Sequence, residues 1–182
     1  MSEQPSTKPS FQSGVPDGDD RVRQICRTCG FVDYINPKIV AGSVVSDEVG
    51  RILMCKRAIE PRKGFWTLPA GFLEEGESVD EGARREALEE ACAKIETIDL
   101  LAVYSIPRIS QVQIFFRARM VAPEIAVGPE SEAVDFYRFE DIPMDALAFP
   151  SVRWALEDYR ARLGQKTIIP AMRRQGEDLA PY

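Results

Sequence analysis

The second half of the segment Gly71–Ala93, GFLEEGESVDEGARREALEEACA, reads as a helix that places Glu86, Glu89 and Glu90 at i, i+3 and i+4. Those spacings bring side chains together on one helix face. Three carboxylates crowded on one patch repel each other unless a cation joins them. Hard oxygen donors of this kind suit Mg²⁺ or Mn²⁺, which keep several waters and share substrate phosphates. The patch therefore reads as a metal platform. A Glu-Glu pair on a helix is by itself usually a solvated face. The segment in front lifts this one: Gly71, a loop through Gly76, and then Glu77 and Arg85, which can pair and tie the loop to the helix by a charge-assisted bond.

Composition narrows the chemistry further. The chain has no histidine, which excludes His-based triads, His-ligated zinc and imidazole acid–base work, so carboxylates must carry any proton transfer. A net charge of -6 leaves no basic excess to neutralise a nucleic-acid backbone, so a small-molecule partner is expected and no nucleic acid. No apolar run is long enough to span a bilayer, and the N-terminal MSEQPSTKPSFQSG lacks the hydrophobic region of a signal peptide; a cytoplasmic protein with no membrane partner is the expectation. With 182 residues, one catalytic domain with attachments is expected.

Along the chain, residues 1–35 read as a flexible arm rich in Ser, Pro, Gly and Asp. The arm ends in Cys26-Arg27-Thr28-Cys29-Gly30, a knuckle that offers two thiolates to zinc. No second pair precedes it, so the knuckle reads as vestigial and zinc is not expected in a monomer; a site shared across a dimer is the other reading. Cys55 and Cys92 read as core packing. Residues 39–46 and 51–56 read as a hairpin around Asp47-Glu48-Val49-Gly50. Beyond it, Arg57, Arg62 and Phe65 place basic and aromatic groups where phosphates and a base could be met, with core packing and a solvated charge as the even alternative. Residues 95–104 read as a strand. Residues 111–120 alternate, with Val112, Ile114, Phe116, Ala118 and Met120 on one face and Gln111, Gln113, Arg117 and Arg119 on the other, a half-buried strand. A further strand is expected over 134–139. A last helix opens at Pro150-Ser151 and repeats Val152, Ala155, Leu156, Tyr159 and Leu163 at helical spacing, so it should cover the sheet face opposite the acidic helix; Gly164 ends it. Residues 165–182 read as a tail, an arm for a partner subunit in a homodimer.

Read as G-x5-E-x7-R-E-U-x-E-E-x-G-U, with U apolar, the segment Gly71–Ala93 resembles the Nudix box at Gly71, Glu77, Arg85, Glu86, Glu89 and Glu90, with Ala87 at the first apolar position. It departs at Cys92, which stands where the box has glycine, and at Ala93, which is small; the departure implies a helix that continues into Ala93. The resemblance implies the Nudix fold, an α/β/α sandwich with a mixed β-sheet, over residues 36–164. Asn36-Pro37-Lys38, residues 55–61 and Tyr104-Ser105-Ile106-Pro107 resemble the ADP-ribose and FAD pyrophosphatases of that superfamily. The activity implied is Mg²⁺- or Mn²⁺-dependent hydrolysis of the pyrophosphate of a nucleoside diphosphate linked to another group, releasing AMP. The alternatives are a Nudix-like nucleotide-binding regulatory domain and a nucleoside triphosphate or NADH pyrophosphatase. The resemblance adds the Ala70 carbonyl to the metal ligands, Gly71, Tyr104 and Pro107 to the substrate contacts, and a general base from a loop after the sheet: Glu130, or Glu132 as the fallback.

Overall fold

The computed structural model describes residues 10–172, which divide into two compact units at the Asn36–Pro37 junction. The first is a small antiparallel sheet of β1 (Phe11–Gly14), β2 (Arg23–Cys26) and β3 (Val32–Asp33), in that order. Residues 10–36 are therefore a folded module and not the flexible arm expected from composition. Polar contacts supply what apolar burial does not. Asp19 accepts the N–H groups of Asp20 and Arg21 at 2.7 and 3.1 Å and pairs with Arg23 Nε at 2.9 Å, while the Arg23 guanidinium lies 5.2 Å from the Tyr34 ring centroid. The expectation for residues 1–9 lies outside the described residues.

The second unit carries the remaining elements: β4 (Lys38–Ser46), β5 (Ile52–Arg57), β6 (Trp66–Thr67), β7 (Ala70–Phe72), α1 (Val79–Ala91), β8 (Ile95–Ile106), β9 (Gln111–Met120), β10 (Ser131–Tyr137), α2 (Pro150–Ala161) and β11 (Ala171–Met172). The strands form one mixed sheet in the order β10-β5-β4-β9-β8-β11, with β6 on β5 and β7 on β4. The β4–β9 and β8–β11 pairs are parallel and the other pairs antiparallel.

The alternation of side chains along β4 and β5 produces the sandwich. Val45, Leu53 and Cys55 join Ala87, Ala91, Ala93 and Ile95 in a core under α1. Their neighbours Val44, Ile52 and Met54 join Leu101, Val152, Ala155 and Leu156 in the larger core under α2. The two helices thus cover opposite faces. Both faces of β9 are buried, where the sequence pattern suggested one. Phe115 is 2% exposed in the α2-side core, and Arg117 is held there by Asp99 and by the carbonyls of Arg162 and Gln165. The described part of the tail likewise does not leave the domain, since β11 pairs with Ala102 and Val103 of β8 and Ile168 enters the core. Among the described residues no helix is long and apolar enough to cross a membrane.

Candidate active site

The start of α1 is fixed before its acidic face begins. Ser78 forms a capping box with Glu81, whose carboxylate accepts the Ser78 N–H at 2.7 Å, and Asp80 and Glu81 sit at the positive end of the helix dipole. The exit differs from the expected continuation into Ala93. The helix ends at Ala91, and Cys92 adopts the left-handed conformation (φ 50°, ψ 22°) usually taken by glycine, donating its N–H to Leu88 O at 2.9 Å.

The three glutamates are not equivalent. Glu86 and Glu90 are one turn apart and face inward, 8% and 5% exposed, whereas the Glu89 side chain is 56% exposed. Burial, followed by the neighbouring Glu86 charge, pushes Glu90 up to about 8, and burial also raises Glu86. Glu90 Oε2 is buried with no hydrogen-bond partner. A buried carboxylate oxygen without a donor is costly unless a cation or ordered solvent satisfies it, so the donor set fits a hard divalent ion. Within the described residues no three acidic or thiol side chains yet converge on one point. Arg85 holds the platform instead: its Nη1 donates to Glu86 Oε1 at 2.7 Å and to Glu89 Oε2 at 3.0 Å.

Arg85 also makes the expected pair with Glu77, in bidentate form at 3.0 and 2.8 Å, and its Nη2 reaches Phe72 O at 2.9 Å. The other Glu77 contact is the Glu74 N–H at 2.8 Å, so one ion pair closes the loop between β7 and α1. Sequence reasoning found the Glu77 partner and missed the other two carboxylates. Arg85→Ala leaves Glu77 and the buried Glu86 without their cation, and a loss of about 1 to 3 kcal/mol in stability is expected by chemical denaturation. Bound Mg²⁺ should restore part of it by replacing the guanidinium at Glu86 and Glu89.

Gly71 lies against this face, because a Cβ there would overlap the Glu86 carboxylate. Ala70 is beside it, paired with Gly42 of β4 and presenting its N–H to Glu90. Arg57 at the end of β5 is close enough for its charge to favour ionised Glu90. Arg57 donates to Pro61 O at 2.8 Å and stacks 5.2 Å from the Phe149 ring centroid. Arg62 donates to Ala148 O at 3.0 Å and lies 4.2 Å from the Phe65 ring centroid, so these cations and rings form one loop wall. Cys55, also missed as a site neighbour, lies buried beside Glu90, and burial followed by the Glu90 charge raises its thiol well above the ordinary range.

The two base candidates separate. The charge of Glu130 acts on both Glu86 and Glu90. Glu132 instead faces Lys56 and Lys63, at 3.7 and 4.0 Å. Pro107 is exposed where β8 ends and opens a short 3-10 turn. Tyr104 requires correction as a substrate contact: it is 1% exposed in the core under α2, and its hydroxyl donates to Asp158 Oδ2 at 2.6 Å. Its ring belongs to the core under α2, whereas the acidic face is carried by α1 on the other face of the sheet.

Comparison with known proteins agrees with this geometry. Residues 36–156 match the NUDIX domain, and residues 9–35 match the Nudix N-terminal zinc-ribbon family. The chain is 31% identical to the ADP-ribose pyrophosphatase of Methanocaldococcus jannaschii over 130 residues, 69% of this chain and 75% of that protein. It is 26% identical to the NAD-capped RNA hydrolase NudC of Salmonella typhi over 66% of this chain, but spans only 46% of that relative's length. The crystal structure of a NUDIX hydrolase from Nitrosomonas europaea superposes with a TM-score of 0.85 at 37% identity, covering 94% of this chain and 97% of the other. With the NUDIX domain matched over more than half of the chain and the 37% identical hydrolase superposing over nearly all of it, the chain belongs to the Nudix hydrolase family.

Proposed function

We propose that this protein is a Mg²⁺- or Mn²⁺-dependent pyrophosphatase acting on ADP-ribose or FAD and releasing AMP, in the cytoplasm and as a homodimer. The observation that carries the reading is the buried Glu90 Oε2, which has no hydrogen-bond partner and feels the charges of Glu86, Arg57 and Glu130. Glu86, Glu89, Glu90 and the Ala70 carbonyl would hold the ion. When bound there, a divalent cation would supply charge neutralisation for the pyrophosphate and Lewis-acid assistance to the attacking water. Glu130 accepts the proton of the attacking water as its oxygen adds to phosphorus, and the P–O bond of the bridging oxygen breaks. Arg57 and Arg62 meet the phosphate charge, and Phe65 and Phe149 give the wall an apolar face for a base or flavin ring. Water adds across one bond, so ADP-ribose yields AMP and ribose 5-phosphate. The 31% identical relative named ADP-ribose pyrophosphatase supports this substrate class.

A panel of ADP-ribose, FAD, NADH and the dNTPs, assayed with Mg²⁺ and with Mn²⁺ for released AMP or dNMP, tests the reading. Release of AMP from ADP-ribose or FAD well above dNTP turnover is expected. Efficient dNTP cleavage with neither dinucleotide-like compound hydrolysed would refute the substrate assignment, and tight binding without metal or turnover would make the protein a sensor.

The zinc that the N-terminal family match implies does not fit the donors of the ribbon. Cys26 and Cys29 are its only cysteines, and among the described residues no third His, Cys, Asp or Glu joins them. The knuckle is nonetheless shaped for a thiolate, since the N–H groups of Cys29 and Thr28 lower the Cys26 thiol. Elemental analysis of purified protein should find well under one zinc per chain. Stoichiometric zinc that survives chelation would contradict this and indicate a site shared between subunits.

A further inference from the structure

The loop of residues 121–130 folds back over the C-terminal end of α1 and is tied to it by main-chain bonds. Ala126 N–H donates to Ala91 O at 2.9 Å and Gly128 N–H to Glu90 O at 3.1 Å, satisfying carbonyls that a helix end leaves unpaired. Gly128 is buried between exposed neighbours. A Cβ at this position would overlap the Glu89 carbonyl oxygen and lie 2.8 and 2.9 Å from the carbonyl carbons of Glu89 and Glu90. Its φ lies outside the left-handed region, so the missing side chain, and not conformational freedom, is what the position uses. The α-carbon of residue 128 therefore rests on the peptide that joins Glu89 to Glu90.

From this seat the chain makes a β-turn, closed by Ser131 N–H donating to Gly128 O at 3.1 Å, with Pro129 and Glu130 at its two central positions. Proline fixes φ at the first of them. The far side is clamped as well, because Ala58 N–H, just beyond β5, donates to Glu130 O at 2.8 Å. Glu130 is thus held at a set distance from the helix that carries Glu86, Glu89 and Glu90. We propose that Gly128 is a positioning residue for the hydrolysis, its lack of a side chain setting the reach of Glu130 to the acidic face. The inference rests on Glu130 acting as the base, as proposed above.

Gly128→Ala must lift the turn off α1 or shift the Glu89–Glu90 peptide, and a displacement near 1 Å at a reacting group can cost about a hundredfold. The test is a double-mutant cycle with full-length protein, Mg²⁺ and ADP-ribose, reading kcat and KM for wild type, G128A, E130Q and G128A/E130Q. Expected is a drop in kcat for G128A of roughly ten- to a hundredfold with KM within about twofold, and no further drop when G128A is added to E130Q. Wild-type kcat in folded G128A overturns the proposal. So does an equal loss from G128A with or without Glu130, which would mean that the residue acts through the helix alone. Wild-type kcat in E130Q removes the base assignment itself, and the positioning role with it, whatever G128A does. Should G128A fail to fold, Pro129→Gly keeps the seat on α1 but loosens the turn. A severalfold loss of kcat that disappears in the E130Q background supports the proposal, and unchanged kcat in P129G overturns it.

Discussion

Glu90→Gln is expected to lower turnover by roughly a thousandfold or more while leaving the metal-free protein at least as stable as the wild type. The activity loss follows because a neutral amide binds Mg²⁺ poorly. The stability effect follows from burial. Glu90 is raised to about 8 in the folded protein, against an ordinary carboxylate value near 4.5 when unfolded. A raised folded value means that the native state holds the proton more tightly. Stability from this group is therefore complete below about pH 4.5 and is lost as pH rises through about 8. In EDTA, wild type and Glu90→Gln should unfold alike at pH 5. At pH 9 the variant should be more stable, by an amount on the order of a few kcal/mol, because it no longer buries a charge beside Glu86. Urea titrations at the two pH values check this, and a variant less stable than wild type at pH 9 would mean that Glu90 is held by contacts other than a metal ion.

Glu130→Gln is expected to cut kcat by about a hundredfold to ten-thousandfold, the range for loss of a general base, with metal affinity largely kept. Glu132→Gln should stay within about threefold of wild type, since its side chain is directed to Lys56 and Lys63 and the weak surface pairs it makes are not part of the chemistry. Steady-state kinetics of both variants, with Mn²⁺ binding measured in parallel, separates them. The reverse order of effects would move the base to Glu132, and wild-type turnover in both would return proton transfer to the helix carboxylates.

What the sequence made legible was local. The Glu77–Arg85 pair, the inward face shared by Glu86 and Glu90 and the helical period of Val152, Ala155 and Leu156 all depend on residues a few positions apart, and each appears in the fold, whereas the expected third member of the patch, Glu89, turns to solvent. What depended on distant chain segments was not legible. Whether Glu89 faced solvent while Glu90 faced the core was decided by where β4 and β5 lie, not by the helix itself. The ring of Tyr104 was assigned to the site from its neighbours in sequence, but α2 and Asp158 claim it. The sheet of β1, β2 and β3 has strands of only four, four and two residues, too short and polar for a hydrophobic period, and is held by Asp19 and Arg23. Arg85 was read as a loop tie because its bridge to Glu86 and Glu89 needs the side-chain positions as well as the spacing. The contact of Gly128 with the Glu89–Glu90 peptide joins positions nearly forty residues apart, and no local pattern announces it.

The central claim is that the buried acidic face is a metal site, and thermal melts in EDTA and in Mg²⁺ test it most directly, because a ligand that binds only the folded state raises its melting point. Mg²⁺ should raise the melting point of wild type and of Arg85→Ala and barely move that of Glu90→Gln. A Glu90→Gln protein that melts far below wild type in EDTA, or that gains as much from Mg²⁺ as wild type does, would show that Glu90 serves the fold and not the ion.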